Sequence, residues 1–191
     1  MNFISILASG AGTNAENLMT FFKKHASIRV GLVLTNNPTA GVIDRAKLAG
    51  VPVKTFDRHD FYESETVLAA LRAYRTTHIV LAGFLWLAPG YLIEKYPVLN
   101  IHPALLPAYG GKGMYGMRVH RAVVANRDAQ TGITVHRVDA EYDRGGIIFQ
   151  ATCPVAPDDT PEQLAAKVHA LEYLHFPRVV EQWITGHSCG G

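Results

Sequence analysis

The sequence predicts an α/β domain built on a doubly wound, mostly parallel sheet. Two observations carry that prediction. Through the first hundred residues, short apolar runs of strand length alternate with segments of helical spacing, the rhythm of parallel strands joined by crossover helices. Beyond them the rhythm changes to two adjacent strand-like runs with a glycine-containing link, followed by one long helical stretch. A β-hairpin extending the sheet and a long C-terminal helix are therefore expected.

The elements follow in order. "FISILAS" (3–9) is an apolar run that stops at glycines, as a buried strand does. A helix is expected from about residue 15 to residue 25. "IRVGLVLTN" reads as a second strand, and "GVIDRAKLAG" has helical spacing with a glycine where a C-terminal cap belongs. "VPVKTF" is a third strand. The run Asp60, Phe61, Tyr62, Glu63 resembles a capping box opening a helix to about Tyr74. "HIVLAGF" is a fourth strand, "PGYLIEKY" a short helix and "VLNIH" a fifth strand. "VHRAVVAN" has helical spacing, and "GITVHRVD" and "GGIIFQATCPV" form the expected hairpin. Thr160, Pro161 and Gln163 supply a threonine cap, a proline at the first helical position and a glutamine three residues after the cap. The helix they open should reach about Trp183, with a disturbance at Pro177.

Composition narrows the function classes. At 191 residues, 48% hydrophobic and 18% charged, the chain can bury one sizeable core. The net charge of +2 is scattered, which argues against a nucleic-acid arm or a membrane-surface stripe. Of the two cysteines, Cys153 lies in a strand-like run and Cys189 in the tail, so neither a disulfide framework nor a metal-ligand spacing is expected. His25, His59, His78, His120, His136, His169, His175 and His187 make no metal pattern either. "MNFISILASG" lacks the basic start and long apolar run of a signal peptide, and no run is long enough to span a bilayer. A cytoplasmic protein is expected, with small molecules rather than nucleic acid or membrane as partners.

Two constellations carry chemistry. "SGAGTNAENL" joins the first strand to the first helix. Bare amides at a helix N-terminus favour an anion, Gly10 and Gly12 allow close backbone approach, and Thr13 and Asn14 add donors. The pattern Gly10-x-Gly12-x-x-Ala15 also fits a loose dinucleotide fingerprint. That reading needs an acid after the second strand, where the chain offers Thr35, Asn36, Asn37 and Pro38. A monophosphate is the better guest, and a tight turn without a ligand is the plain alternative. The second constellation is Asn100 and His102, on one side of the fifth strand because strand side chains alternate with period two. They sit at the C-terminal edge of a parallel sheet, where such folds bind ligands. An amide and an imidazole facing one pocket can stabilise an oxyanion, and the imidazole can also carry a proton near neutral pH. Asp143 is the best candidate to orient His102, with Asp139 and Glu141 as alternatives. The plain reading of both residues is structural hydrogen bonding at a strand end.

"SGAGTN", "VLAGF", "NIHPALLP", "GITVHRVDAEYDRGG" and "ALEYLHFPRV" resemble, in order and spacing, the phosphoribosylglycinamide formyltransferases, a folate-dependent formyltransferase family. The resemblance runs from Phe3 to about Trp183. It implies one domain of Rossmann-like formyltransferase fold over 1–191, with a phosphate-binding half (1–100) and a folate-binding and catalytic half (101–191). It implies transfer of formyl from 10-formyltetrahydrofolate, as co-substrate, to the amine of 5-phosphoribosylglycinamide, a step of de novo purine synthesis. No metal takes part. By resemblance Gly12, Thr13 and Asn14 hold the substrate phosphate, and Asn100, His102 and Asp143 form the catalytic trio. Glu172 contacts the glycinamide, and the segments containing Leu85, Trp86, Leu87, Asp139, Ala140 and Glu141 line the folate pocket. An arginine that often binds the folate tail falls at Arg58 or His59. "YGGKGMYGMRVH" is longer than the usual family segment and could form a flap. The family implies a monomer or a homodimer. Rival readings are formyltetrahydrofolate deformylase, methionyl-tRNA formyltransferase and sugar N-formyltransferases. The added domains that the first two normally carry are not expected here.

Overall fold

The computed structural model describes residues 1–186, so the tail with His187 and Cys189 lies outside the described residues. Five parallel strands, β1 (Asn2–Leu7), β2 (Ile28–Thr35), β3 (Val53–Thr55), β4 (His78–Leu81) and β5 (Val98–His102), are extended by two antiparallel ones, β6 (Gln130–Arg137) and β7 (Ile147–Pro154). They form one seven-stranded sheet in the order β3-β2-β1-β4-β5-β6-β7, the doubly wound arrangement with a hairpin added at one edge. The helices are α1 (Thr13–Phe22), α2 (Val42–Ala49), α3 (Arg58–Tyr62), α4 (Thr66–Ala73), α5 (Gly90–Lys95), α6 (Met117–Asn126) and α7 (Pro161–Thr185).

The apolar runs work as buried strands because both of their faces are covered. Ile4, Ile6, Val33, Val80, Leu99 and Ile101 point to one face and join α1, α2 and α7 in a single cluster. Their neighbours Leu7, Leu32, Leu34, Ile79, Leu81 and Val98 point to the other face, against Phe61 of α3, Leu68 and Leu71 of α4 and Leu92 of α5. Each large aliphatic side chain so buried contributes about 1.5–3 kcal/mol of transfer free energy.

Two local expectations are corrected. The capping box belongs to Asp57 and Asp60, not to Asp60 and Glu63. The Asp57 carboxylate accepts from the Asp60 amide at 2.8 Å, and the Asp60 carboxylate accepts from the Asp57 amide at 3.3 Å. The expected single helix then breaks into α3 and α4. At the break the Ser64 hydroxyl donates to the Asp60 carbonyl and accepts from the Thr66 amide, so a side chain satisfies the interrupted backbone. At Pro177 the opposite holds: α7 runs unbroken from Pro161 to Thr185. Proline cannot donate to the Tyr173 carbonyl four residues back, and Asn17 of α1 does so instead, its Nδ2 at 3.0 Å.

Candidate active site

Three strand ends and one helix build the site. After β1, Gly12 adopts a left-handed backbone (φ 77°) at the N-cap of α1, and a Cβ there would lie 2.5 Å from the Val42 side chain. No side chain caps α1, and its first residues, Thr13 and Asn14, line the cavity. Ser9 fixes this loop to the one after β4, donating to Asn36 Oδ1 at 2.7 Å and accepting from the Leu85 amide at 3.1 Å. That second loop carries Leu85, Trp86 and Leu87 into the wall. Trp86 stacks with Tyr62 and meets Phe56, Phe61 and Phe84.

The end of β5 holds Asn100 and His102. The turn that follows contains a cis peptide at Leu106–Pro107. Buried Thr134 secures that turn, donating to the Ala104 carbonyl at 2.7 Å and accepting from the Leu106 amide at 3.0 Å. The link between β6 and β7 returns Asp143 to the same place. Its Oδ1 lies 3.4 Å from Asn100 Nδ2, and its Oδ2 lies 3.5 Å from His102 Nδ1. Both distances exceed a good hydrogen bond, while the Gly111 amide donates to Oδ2 at 3.0 Å. Thus the carboxylate is fixed from behind and sits loosely against the two groups in front.

His102 Nε2 lies 2.8 Å from the Tyr109 carbonyl, so that nitrogen carries the proton. With Nδ1 turned to Asp143, both ring nitrogens face acceptors, and only the imidazolium completes both bonds. Burial lowers the His102 pKa, and this outweighs Asp143 and the Tyr109 carbonyl, which raise it; nearby His136 lowers it further. For Asp143 burial acts upward but is overcome by the His136 and His102 contacts and the Gly111 amide, which hold the carboxyl below its usual range. A nascent negative charge in front of the pair is the missing stabiliser of the imidazolium.

Glu172 is buried on the inner face of α7 and accepts from Asn14 Nδ2 at 2.9 Å. Burial raises its pKa, against the opposing pull of Asn14 and His169. Among the described residues, Asn14 Oδ1 and His120 Nδ1 are buried with no partner. Gly12, Thr13, Asn14, Leu85, Trp86, Leu87, Asn100, His102, Glu141, Asp143 and Glu172 all line one cavity of about 350 Å³. Asp139 and Ala140 do not reach its wall. Asp139 instead accepts from the Glu141 amide at 2.9 Å and shapes the turn. No group of three or more His, Cys, Asp or Glu side chains among the described residues is placed to hold a metal ion.

Sequence reasoning missed His136. It is the direct cross-strand partner of Asn100, and its Nε2 lies 3.0 Å from Asn100 Nδ2. Its Nδ1 donates to the Arg137 carbonyl at 2.8 Å. Asp143 Oδ1 is also 3.5 Å from that Nε2. Same-face alternation along "GITVHRVD" was the available signal, but the register that sets it opposite Asn100 is a tertiary fact. His120 and His169 also line the cavity.

A glycine loop at a helix N-terminus and an Asn–His pair open into one cavity at the strand ends of a doubly wound sheet, an arrangement suited to group transfer. The chain belongs to the formyl transferase family, whose sequence model matches residues 2–180. It is 37% identical to the chloroplastic phosphoribosylglycinamide formyltransferase of Arabidopsis thaliana over 191 residues, 93% of this chain and 63% of that one. The chain thus spans about three-fifths of the length of that relative and of its Vigna unguiculata counterpart. It is 32% identical to the phosphoribosylglycinamide formyltransferase of Haemophilus influenzae, covering 97% of this chain and 88% of that one. The crystal structure of glycinamide ribonucleotide transformylase 1 from Symbiobacterium toebii matches with a TM-score of 0.87 at 32% identity, covering 97% of this chain and 89% of that one.

Proposed function

We propose that this chain transfers the formyl group of 10-formyltetrahydrofolate to the amine of 5-phosphoribosylglycinamide in purine biosynthesis. The observation that carries the reading is one cavity shared by the Gly12 loop, Glu172 and the Asn100, His102 and Asp143 trio. The phosphate docks on the amides and side chains of Gly12, Thr13 and Asn14. Glu172, steadied by Asn14, receives the glycinamide end. The folate lies along Leu85, Trp86 and Leu87 and the turn containing Asp139, Ala140 and Glu141, the first two through the turn's shape. Residues 1–100 then supply the phosphate loop and, at their end, Asn100, and residues 101–191 supply His102, Asp143 and Glu172.

The amine lone pair attacks the formyl carbon, and the carbonyl π pair moves onto oxygen. Asn100 Nδ2 and His102 Nδ1, whose contacts to Asp143 are long, donate to that oxyanion while Asp143 stays beside them. The new charge favours the imidazolium, which Asp143 orients. Collapse re-forms the carbonyl and breaks the bond to the folate N10. N10 takes up a proton matching the one the amine loses, with Asp143 as its carrier through water. Juxtaposing both substrates supplies much of the remaining acceleration. No metal is required. The partners are the two small molecules, with neither nucleic acid nor membrane involved. The chain works in the cytoplasm as a monomer or homodimer. No helix among the described residues is long and apolar enough to cross a membrane.

The test is a two-substrate assay following folate absorbance with and without the phosphorylated acceptor. Acceptor-dependent turnover supports the reading, whereas formyl release without acceptor favours a deformylase. Two further results are expected. The Arg58 guanidinium lies 5.2 Å from the Tyr62 ring and 5.8 Å from the Trp86 ring, whereas His59 faces Glu63 at 3.3 Å. Arg58 is thus the one set to receive the anionic folate tail. Arg58→Ala should raise the KM for polyglutamylated folate by up to about fivefold, as for an exposed ion pair, and leave kcat unchanged. An equal effect on a folate lacking the glutamate tail would refute this. For Glu172→Gln, the sign follows from its raised pKa. Its contribution to stability is full below the unfolded carboxyl pKa and is lost as pH rises through the folded value. The variant should therefore melt higher than the parent at pH 8, converge with it toward pH 4, and bind the acceptor more weakly.

A further inference from the structure

Asp143 braces one nitrogen of His102, and the chain itself braces the other. Tyr109 is one of four non-glycine residues, among those described, with a left-handed backbone (φ 55°), a conformation that needs support from its surroundings. This twist accompanies the placement of the Tyr109 carbonyl 2.8 Å from His102 Nε2. Support comes from the side chain. The phenol donates to Asp128 Oδ2 at 2.5 Å, nineteen residues away. Asp128 is itself fixed between α6 and β6, where its Oδ1 accepts from Asn126 Nδ2 at 2.6 Å. The next two residues continue the brace. Gly110 packs so closely that a Cβ would lie 2.7 Å from Leu106 Cδ2 and 3.3 Å from Asp143 Cβ. Gly111, at φ 98°, turns its amide onto Asp143 Oδ2. One tripeptide thus touches both members of the His102 and Asp143 pair, and the Tyr109 phenol ties it to the turn between α6 and β6.

We infer that Tyr109 is a positioning residue for the reaction proposed above: its bond to Asp128 holds the Tyr109 carbonyl on His102 and the Gly111 amide on Asp143. The inference rests on that reaction for its kinetic consequence but not for its geometry. The plain alternative is that Tyr109 only packs against Ala104, Val119, Val123 and Leu164. A phenylalanine would then serve equally well, because the ring stays and only the hydroxyl goes.

Tyr109→Phe and Asp128→Ala separate the two. Each should lower kcat by about tenfold, the scale of a partial misplacement at a reacting centre, and leave the acceptor KM near its original value. The double variant should be no worse than either single one, because both break the same bond. The groups facing His102 are Asp143 and the Tyr109 carbonyl, which raise its pKa, and His136, which lowers it; His120 of α6 couples to it as well. Loosening the carbonyl removes one support of the imidazolium, so the alkaline limb of kcat should move to lower pH. A loss of packing alone would lower the melting temperature without moving that limb. NMR titration of the His102 ring in the whole protein reads the same shift without turnover. If the unsubstituted protein shows no formyl transfer but Tyr109→Phe still lowers the His102 titration, the anchor stands and the assigned reaction falls. If the reaction is present and both variants keep the original kcat, alkaline limb and titration, the inference is overturned.

Discussion

His102→Ala should keep the phosphorylated acceptor bound and lose turnover by about 10²–10⁴-fold, the range for removing a positioned acid–base group or oxyanion donor. The separation is expected because the two tasks sit on different elements. The proposed phosphate loop is built by β1, α1 and the Val42 contact at Gly12. The polar partners of the imidazole are the Tyr109 carbonyl and Asp143, which lie on other elements. Removing it leaves that carbonyl without its donor inside the protein, a stability cost of about 1–3 kcal/mol. Calorimetry with the acceptor and a folate absorbance assay on the same preparation read the two quantities, and a melting curve confirms folding. Near-normal turnover in a folded variant would remove His102 from the mechanism.

The sequence carried the parallel half of the fold well because each strand there is buried on both faces, and a fully buried strand is written as an apolar run. It also placed Asn100 and His102 on the cavity, since period-two alternation and the strand-ending Pro103 are local facts, whereas Glu172, on α7, was reached only through the family resemblance. From the residues alone Asp143 was the best of three candidate acids, and the family resemblance then assigned it. What favours it over Asp139 and Glu141 in space is the return of the link, secured when the Gly111 amide meets its carboxylate. Asp139 is instead spent on the turn. His136 was hidden for a related reason. Its part depends on a β5–β6 register in which Asn100 opposes it, and antiparallel register is set across about thirty-five residues by packing that no local pattern encodes. The misplaced helix start shows the same limit at short range. The sequence pattern put the cap at Asp60, whereas Asp57 is the cap used, and Phe61, fully buried against Phe56, decides which turn of the helix faces the core. Pro177 was a fair warning answered from outside its own helix, by Asn17.

Asp143→Asn should cost turnover on the same scale, about 10²–10⁴-fold, with a signature that His102→Ala cannot give. The amide keeps the size of the carboxylate and can still accept from the Gly111 amide, so the link should hold its path. It loses the charge that raises the His102 pKa. The residual activity should therefore have its alkaline limb at lower pH than the parent, because the imidazolium is given up sooner. Stability gives an independent check with its own sign. The folded carboxyl lies below its usual pKa, so Asp143 contributes stability that is present above the unfolded value and lost as pH falls through the folded one. The parent should be more stable than the variant at neutral pH, and the gap should close as the solution is acidified below the ordinary aspartate range. A gap that stayed constant with pH would mean that Asp143 is not held in its charged form by His136, His102 and Gly111. The orienting role of the carboxylate would then lose its physical basis, even if the rate had fallen.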